Sequence, residues 1–200
     1  MIDKFTAYNL RELEISIIEK KTFAQSILNS VLKELGVGKI NCFESFSDAV
    51  YAMNEFVPDI VVTDWSSDYS ALEFLDWIRN GDSSPEPFLP VIIMSNNCAL
   101  GNIKQARDTG VDEFLARPIS PSILYDRICR IIRVRPIFVK TSDFFGPNRR
   151  RSDRGFFNFP DRRKTQNVLD EKEGSIDTST DTDKIPEPLV TQKELDVLLN

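Results

Sequence analysis

The stretch Pro58-Asp59-Ile60-Val61-Val62-Thr63-Asp64-Trp65 decides the fold. Its centre, residues 60–62, is a β-branched run that Pro58 bounds on one side and polar residues 66–68 bound on the other. A short apolar run of this kind predicts a strand buried on both faces, as in the middle of a parallel sheet. Asp64 then ends the strand, at the edge where open α/β sheets collect ligands. Alternatively, Asp64 only starts a loop and caps the next helix, and this stretch alone leaves both interpretations open.

Strand and helix patterns alternate regularly on both sides of this stretch. Gly36 and Gly110 are placed to end two of the helices, and Ser120 followed by Pro121 is typical of a helix start. Such alternation with short connections predicts an α/β fold with a doubly wound, five-stranded parallel sheet. The predicted strands are 14–18, 39–43, 60–62, 89–95 and 111–116, and the predicted helices are 23–35, 47–56, 72–80, 103–109 and 121–132.

The composition limits the function classes. The chain has 200 residues, is 41% hydrophobic and carries a net charge of −6, which suits one full-sized core with a polar remainder. It contains no histidine, which excludes Ser-His-Asp and Cys-His catalysis, histidine-ligated metals and phosphohistidine chemistry. Its three cysteines form no C-x-x-C pair and are typical of small core residues in a reducing compartment. Because no leader-like start or bilayer-length apolar run is present, we expect a cytoplasmic protein without a membrane partner. We also expect that it is not an enzyme.

Changes in composition divide the chain into five parts. Residues 1–12 are an N-terminal lead-in, 13–135 form the α/β domain, and 136–168 are an extension with an arginine-rich repeat. Residues 169–188 are acidic, rich in Ser and Thr, and predicted to be a disordered linker. Residues 189–200 are predicted to form a short amphipathic helix.

The extension contains two related pieces, residues 144–151 and 157–164, each with aromatic residues, a proline turn and a basic cluster. Pro-Asn and Pro-Asp favour turns, so we predict a repeated turn motif. The arginines are a solvated face, an anchor for an acidic partner or for the acidic linker, or a nucleic-acid patch. In the last case Phe144, Phe145, Phe156 and Phe157 would stack on bases. The overall acidity weakens that alternative, and we do not expect nucleic acid as a partner.

The last ten residues have the pattern of a docking helix. Thr191 and Glu194 form a capping box, and Leu195, Leu198 and Leu199 form one apolar stripe. A helix shorter than about 12–15 residues is marginal alone in water. We therefore predict that these leucines dock on a partner or on the domain itself.

Charged and hydroxyl side chains follow four of the predicted strands: Glu19 and Lys20, then Asp64, Ser95, and Arg117 before Pro118. This layout, over about residues 13–133, resembles the CheY-like receiver domain of two-component response regulators, which implies that the parallel sheet is of the flavodoxin-like kind. The resemblance implies that an acidic pair after the first strand holds Mg²⁺ and that the aspartate after the third strand accepts a phosphoryl group. A Ser or Thr and a Lys before Pro contact that group, and an aromatic residue of the fifth strand swings inward.

Carried onto this sequence, the resemblance implies a phosphoacceptor at Asp64, contacted by Ser95 and Arg117. It implies Glu19 and Asp64 as metal ligands and Phe114 as the switch residue. Such chemistry needs a metal and a cation to neutralise the charge that develops on phosphorus. Histidine kinases or phosphotransfer proteins would be partners, together with other receivers or signalling proteins.

Three departures from the family pattern bear on this chemistry. Lys20 replaces an acid expected to touch the metal and competes with a cation for the same negative site. Arg117 replaces the usual Lys and brings a bulkier, planar guanidinium group. Residues 66–71 lack the Met-Pro and Asp-Gly sequences that are usual in this loop. Two functions stay open: a single-domain receiver that acts through its Phe114 face, and a phosphorylation-independent pseudo-receiver scaffold. In the scaffold, Lys20 would pair with Asp64.

The tail carries two further resemblances. Phe138-Val139 with residues 144–151 looks like the tail of a receiver subfamily with a Phe-Gly-Pro-Asp-Arg-Arg-type motif. Residues 191–200 are similar to the amino-terminal peptide of the flagellar motor switch protein, which docks on a chemotaxis receiver. The alternative is an amphipathic helix that fits this frame by chance. If the likeness holds, the scaffold would recruit another receiver through its C-terminal helix.

Overall fold

The computed structural model describes residues 8–65, 70–134, 136–141 and 144–148. Five strands alternate with five helices, which confirms the predicted α/β organisation. A two-stranded hairpin follows. The elements are β1 (Glu14–Ile18), α1 (Thr22–Glu34), β2 (Lys39–Phe43), α2 (Phe46–Ala52), β3 (Ile60–Asp64), α3 (Ser70–Asn80), β4 (Val91–Ser95), α4 (Leu100–Thr109), β5 (Glu113–Ala116), α5 (Pro121–Arg133), β6 (Phe138–Lys140) and β7 (Phe145–Pro147).

The first five strands form one parallel sheet in the order β2-β1-β3-β4-β5. The chain winds outward from β1 to β2 and then crosses back to β3, so the order reverses between β1 and β3. In register, Ile15 lies beside Ile60 and Val62 lies beside Ile92. Loops at the carboxyl ends of β1 and β3 diverge at such a reversal and leave a crevice between them. Glu19 and Asp64 stand at this crevice.

Helices cover both faces of the sheet. Val61 and Phe114 pack on the face covered by α2, α3 and α4, and Val62 and Ile92 pack on the face covered by α1 and α5. Residues Ile60 to Thr63 of β3 and all five residues of β4 are buried. The continuous apolar run predicted a strand buried on both faces, and the structure confirms it.

Most helix ends follow the local sequence signals. Ser120 accepts a hydrogen bond from the Ile123 N–H at the start of α5, and Gly110 ends α4 with φ 94°. The second helix is shorter than the predicted 47–56. It ends at Ala52, where the Asn54 side-chain amide donates to the Tyr51 carbonyl and satisfies one of the terminal acceptors.

Part of the predicted N-terminal lead-in packs as part of the domain. Leu10 is 2% exposed, and its carbonyl accepts hydrogen bonds from the N–H groups of Leu13 and Gly38. The Tyr8 N–H donates to the hydroxyl of Tyr125 on α5. The core therefore begins several residues before β1.

The antiparallel hairpin of β6 and β7 lies at the amino-terminal edge of the sheet. The sequence predicts a turn motif in residues 144–151. Residues 145–147 instead form a strand that pairs with residues 138–140. Phe138 and Phe145 lie 5.0 and 5.4 Å from Phe88, which precedes β4. The turn prediction was wrong for residues 145–147, because aromatic packing favours an extended chain there.

A buried ion pair lies beneath the hairpin. Arg79, 3% exposed, donates to the carboxylate of Asp112 at 2.7 Å and to the carbonyls of Pro87, Leu89 and Gly110. Its guanidinium also lies 5.1 Å from the ring centroid of Phe138. Arg79 thus joins the start of β5, the loop before β4 and the hairpin.

The second unit of the repeat, the acidic linker and the C-terminal helix with Leu195, Leu198 and Leu199 lie outside the described residues. Among the helices of the described part, none has the length and apolar character needed to cross a membrane.

Candidate functional site

The carboxyl edge of the sheet brings together the side chains selected from the sequence. Asp64 and Ser95 are the last residues of β3 and β4, while Glu19 and Arg117 directly follow β1 and β5. Backbone hydrogen bonds hold these strand ends in place, including that from Trp65 N–H to Met94 O at 2.7 Å. Three charges that are distant in sequence therefore meet at one edge of the sheet.

Arg117 bridges the two carboxylates of this edge. Its Nη2 lies 2.8 Å from Oε2 of Glu19 and 3.1 Å from Oδ1 of Asp64. The Glu19 side chain is 2% exposed, and the side chains of Asp64 and Arg117 are 16% and 21% exposed. A guanidinium is well suited to this position, because it offers several donors in a rigid plane to more than one carboxylate.

Backbone groups fix the orientation of Glu19. Its second carboxylate oxygen, Oε1, accepts a hydrogen bond from the Lys21 N–H at 2.9 Å. The Gln25 side chain donates to the carbonyls of Glu19 and Phe43, which ties the ends of β1 and β2 together. Both carboxylate oxygens of Glu19 are thus engaged by groups of the chain itself.

Lys20 does not pair with Asp64, and that part of the scaffold hypothesis was wrong. Lys20 is exposed and forms no ion pair with any described residue. The inward turn of Glu19, held by the Lys21 N–H, directs Lys20 toward solvent. The cation beside Asp64 is Arg117.

The Ser95 side chain is buried within the β4–α4 connection. Its hydroxyl accepts a hydrogen bond from the Asn97 N–H at 3.0 Å and donates to the Asn97 carbonyl at 3.2 Å. The Ser95 carbonyl accepts from the Arg117 N–H at 2.8 Å. In this arrangement Ser95 anchors the backbone of Arg117, and its hydroxyl is engaged by its own loop.

Phe114 points into the core and is 0% exposed. Its ring lies 5.9 Å from that of Trp65 in an edge-to-face arrangement. Trp65 directly follows Asp64, so this contact joins the candidate switch residue to the strand end that carries the candidate phosphoacceptor. No local sequence signal predicts this contact between Trp65 and Phe114, because Trp65 lies outside the apolar run of β3.

The donor set at this edge does not fit Mg²⁺ in the observed arrangement. Mg²⁺ requires a near-octahedral set of oxygen ligands and usually binds through one or two carboxylates plus water. Here the two predicted ligands, Glu19 and Asp64, share the cationic group of Arg117. Within the described ranges, no three His, Cys, Asp or Glu side chains cluster in a way that would hold a metal.

Comparison with known proteins identifies the family of this domain. The sequence profile of the response regulator receiver domain matches residues 15–129. The phosphate regulon transcriptional regulatory protein PhoB of Escherichia coli (strain K12) is 23% identical over 128 residues, which are 63% of this chain and 55% of PhoB. The chain thus spans about half the length of the curated relatives that it matches.

Solved structures share the fold. The receiver domain of the sensor histidine kinase PA1611 from Pseudomonas aeruginosa PAO1, with a magnesium ion coordinated in its active-site cleft, matches with a TM-score of 0.54 at 20% identity, covering 61% of this chain and 98% of that domain. Vibrio cholerae chemotaxis protein CheY4 matches with a TM-score of 0.53 at 13% identity, covering 60% of this chain and 98% of CheY4. The family profile covers more than half of the chain, and the chain belongs to the response regulator receiver family.

Proposed function

We propose that this receiver domain acts in two-component signalling through protein contacts, in a single state that Arg117 stabilises, without magnesium-dependent phosphorylation of Asp64. The observation that carries this proposal is the position of Arg117 Nη2, within 3.1 Å of Asp64 and 2.8 Å of Glu19. The proposed role of the domain is to bind other proteins and not to catalyse a reaction of a separate substrate.

Electrostatics support this function. A metal that binds between Glu19 and Asp64 must first displace a guanidinium from both carboxylates. Breaking a buried ion pair costs about 3–5 kcal/mol, although partial exposure of Arg117 reduces that figure. Lys20, exposed at the same edge, adds a further positive charge that opposes a divalent cation.

The switch residues also support a single state. A modification shifts a conformational equilibrium only if two arrangements differ in their contacts with it. The Ser95 hydroxyl is already bonded to Asn97, and Phe114 is already buried against Trp65. Both side chains are thus engaged by contacts within the domain.

The partners we propose are signalling proteins, including another receiver, a histidine kinase or a phosphotransfer protein. The predicted C-terminal helix, with its stripe of Leu195, Leu198 and Leu199, is the segment we propose to recruit such a partner. A fixed receiver state combined with a recruiting peptide makes the protein a scaffold.

One observation favours the alternative that Asp64 is phosphorylated. Its side chain is 16% exposed, so one side of the carboxylate is open to solvent. In that case Arg117 would contact the phosphoryl oxygens in place of the usual lysine, because guanidinium groups bind phosphate well.

Reaction with a small phosphodonor distinguishes the two functions. The full chain is incubated with acetyl phosphate and Mg²⁺, and its intact mass is measured under conditions that preserve acyl phosphates. We expect no adduct on the wild type, and an adduct on a Lys20→Asp/Arg117→Lys variant that disappears when Asp64→Asn is added. A wild-type adduct that Asp64→Asn abolishes would refute the proposal.

A further inference from the structure

A cleft of about 570 Å³ lies at the amino-terminal edge of the sheet, opposite the Arg117 site. Its walls are mainly apolar and include Val57, Ile132 and Phe138, and the carboxylates of Asp59 and Glu86 also line it. Val57 is 43% exposed and Phe88, on the same rim, is 54% exposed. Apolar surface of this kind, edged by charge, is typical of a docking site.

The first unit of the arginine-rich repeat is already docked beside this cleft. Phe145 packs against Phe88 and Phe138, and Gly146 packs on Gly110. A Cβ at Gly146 would lie 2.8 Å from the Cα of Gly110, so only glycine allows this approach. The described part of the first unit, residues 144–148, thus packs on the domain.

The second unit cannot bind in the same way. When the two units are aligned on their prolines, Phe159 takes the position of Gly146. A phenylalanine there would collide with Gly110, and the first unit occupies that site already. The second unit therefore needs a site that accepts large aromatic side chains.

The chain leaves the described structure next to such a site. The Asn148 N–H donates to the Ile137 carbonyl at 2.7 Å, and Pro136 and Phe138 on either side of Ile137 line the cleft. Nine residues lead from Asn148 to Phe157 and span up to about 30 Å when extended. The loss of chain entropy when this nine-residue segment closes back onto the domain costs little free energy.

The charges of the cleft and the segment are complementary. Residues 149–164 contain seven Lys and Arg, two Asp and three Phe. In the cleft, Asp59 accepts a hydrogen bond from the Glu14 N–H and Glu86 accepts one from the Phe88 N–H. These bonds orient both carboxylates and leave each with further acceptor capacity for an arginine.

We propose that residues 149–164 fold back onto the cleft of their own chain. Phe157 and Phe159 enter its apolar part, and the basic residues beside them pair with Asp59 and Glu86. The segment covers the exposed rim of Val57 and Phe88. The acidic linker and the C-terminal helix then extend from this anchor, at the edge of the domain opposite Asp64.

Hydrogen exchange of the full chain, followed by mass spectrometry, tests the proposal. In a Phe157→Ser/Phe159→Ser variant, we expect amides of residues 55–59 and 86–89 to exchange about tenfold faster than in the wild type, because they lose a cover worth about 1.4 kcal/mol. Amides of residues 15–18 of β1 are the internal reference and keep their rates. A Leu195→Ser/Leu198→Ser variant, matched in chemistry but placed elsewhere in the tail, leaves the cleft amides unchanged.

A change on the cleft side provides the reciprocal test. Val57→Arg places a positive charge on a half-exposed rim residue, so it repels the basic segment without entering the core. We expect trypsin to cleave this variant after Arg162 and Arg163 several times faster than the wild type. Equal exchange and equal cleavage in all variants would overturn the proposal. Protection that falls on dilution, together with a dimer mass in light scattering, would also overturn it, because the occupant would then belong to a second copy.

Discussion

Nη2 of Arg117 lies 3.1 Å from Oδ1 of Asp64, so the carboxylate expected to accept a phosphoryl group is ion-paired with the chain itself. The same nitrogen lies 2.8 Å from Oε2 of Glu19. One cation, directly after β5, therefore pairs with both the acid that follows β1 and the acid that ends β3. The crevice between these strands, where a receiver domain is expected to bind its metal, is occupied by this side chain.

The bridge predicts energetic coupling between Arg117 and Asp64. In a double-mutant cycle with Arg117→Gln and Asp64→Asn, we expect a coupling of about 1–3 kcal/mol in the free energy of unfolding. Arg117→Gln is the more destabilising single change, because it also deprives the 2% exposed Glu19 of its cation. Urea denaturation of the four proteins measures the cycle. Lys20→Gln is the matched control and changes stability by less than about 0.5 kcal/mol; additive effects of Arg117 and Asp64 would contradict the bridge.

Burial of Phe114 predicts a graded loss of stability. Phe114→Ala removes a fully buried ring beside Trp65, and we expect it to cost about 3–5 kcal/mol. Phe114→Leu leaves a smaller cavity and costs less. Chemical denaturation gives both values, and in a Trp77→Phe background the emission of Trp65 reports the change in packing. If both variants were as stable as the wild type, Phe114 would not be held in the core.

The buried ion pair of Arg79 and Asp112, at the amino-terminal edge of the sheet, predicts that loss of the Asp112 carboxylate strongly destabilises the protein. Asp112→Asn removes the ion-pair partner of the Arg79 guanidinium, whose side chain is 0% exposed. We expect a loss of about 3–5 kcal/mol in the free energy of unfolding. Asp108→Asn removes the partner of Arg107 on the surface and changes stability by about 0–1 kcal/mol. Similar losses in the two variants would show that burial of Arg79 does not increase the cost of removing its ion-pair partner.

A pH dependence follows from Glu14. Burial alone would raise the pKa of this carboxyl, but hydrogen bonds from Lys39 and Asn41 and the charge of Lys39 outweigh burial and lower it. A carboxyl whose pKa is lower in the folded state stabilises the protein above its unfolded pKa and loses that contribution as the pH falls through the folded value. The stability difference between wild type and Glu14→Gln is therefore expected to shrink as the pH falls below the ordinary pKa of a glutamate carboxyl and through the lower pKa of the folded state. Glu12→Gln, at an exposed neighbouring position, is the control; a difference that stays constant with pH would contradict the shift.

The sequence was sufficient to predict the main elements, because their signals are local. The β-branched run at 60–62 requires burial on both faces, and Gly110 and Ser120 mark helix ends through their own backbone and side-chain preferences. The edge of the sheet that gathers Asp64 and Arg117 follows from the order of strands alone.

The pairing within the site was not predictable in the same way. Glu19 and Arg117 are 98 positions apart, and whether Lys20 or Arg117 meets Asp64 depends on how one short loop turns. Arg79 and Asp112, 33 positions apart, likewise carry no local signal of their pairing. The strand at Phe145–Pro147 escaped prediction because its proline and glycine favour a turn locally, whereas contacts with Phe88 and Gly110 favour an extended chain.

Magnesium titration tests the central claim most directly. The full chain carries Trp77→Phe, so that the emission of Trp65, next to Asp64, is the only tryptophan signal, and Mg²⁺ is added with and without beryllofluoride. With Arg117 bridging Glu19 and Asp64, we expect a flat response, and saturable quenching once Lys20→Asp and Arg117→Lys are introduced. Saturable quenching without those two changes, enhanced by beryllofluoride and abolished by Asp64→Asn, would contradict the claim and establish Asp64 as a working phosphoacceptor.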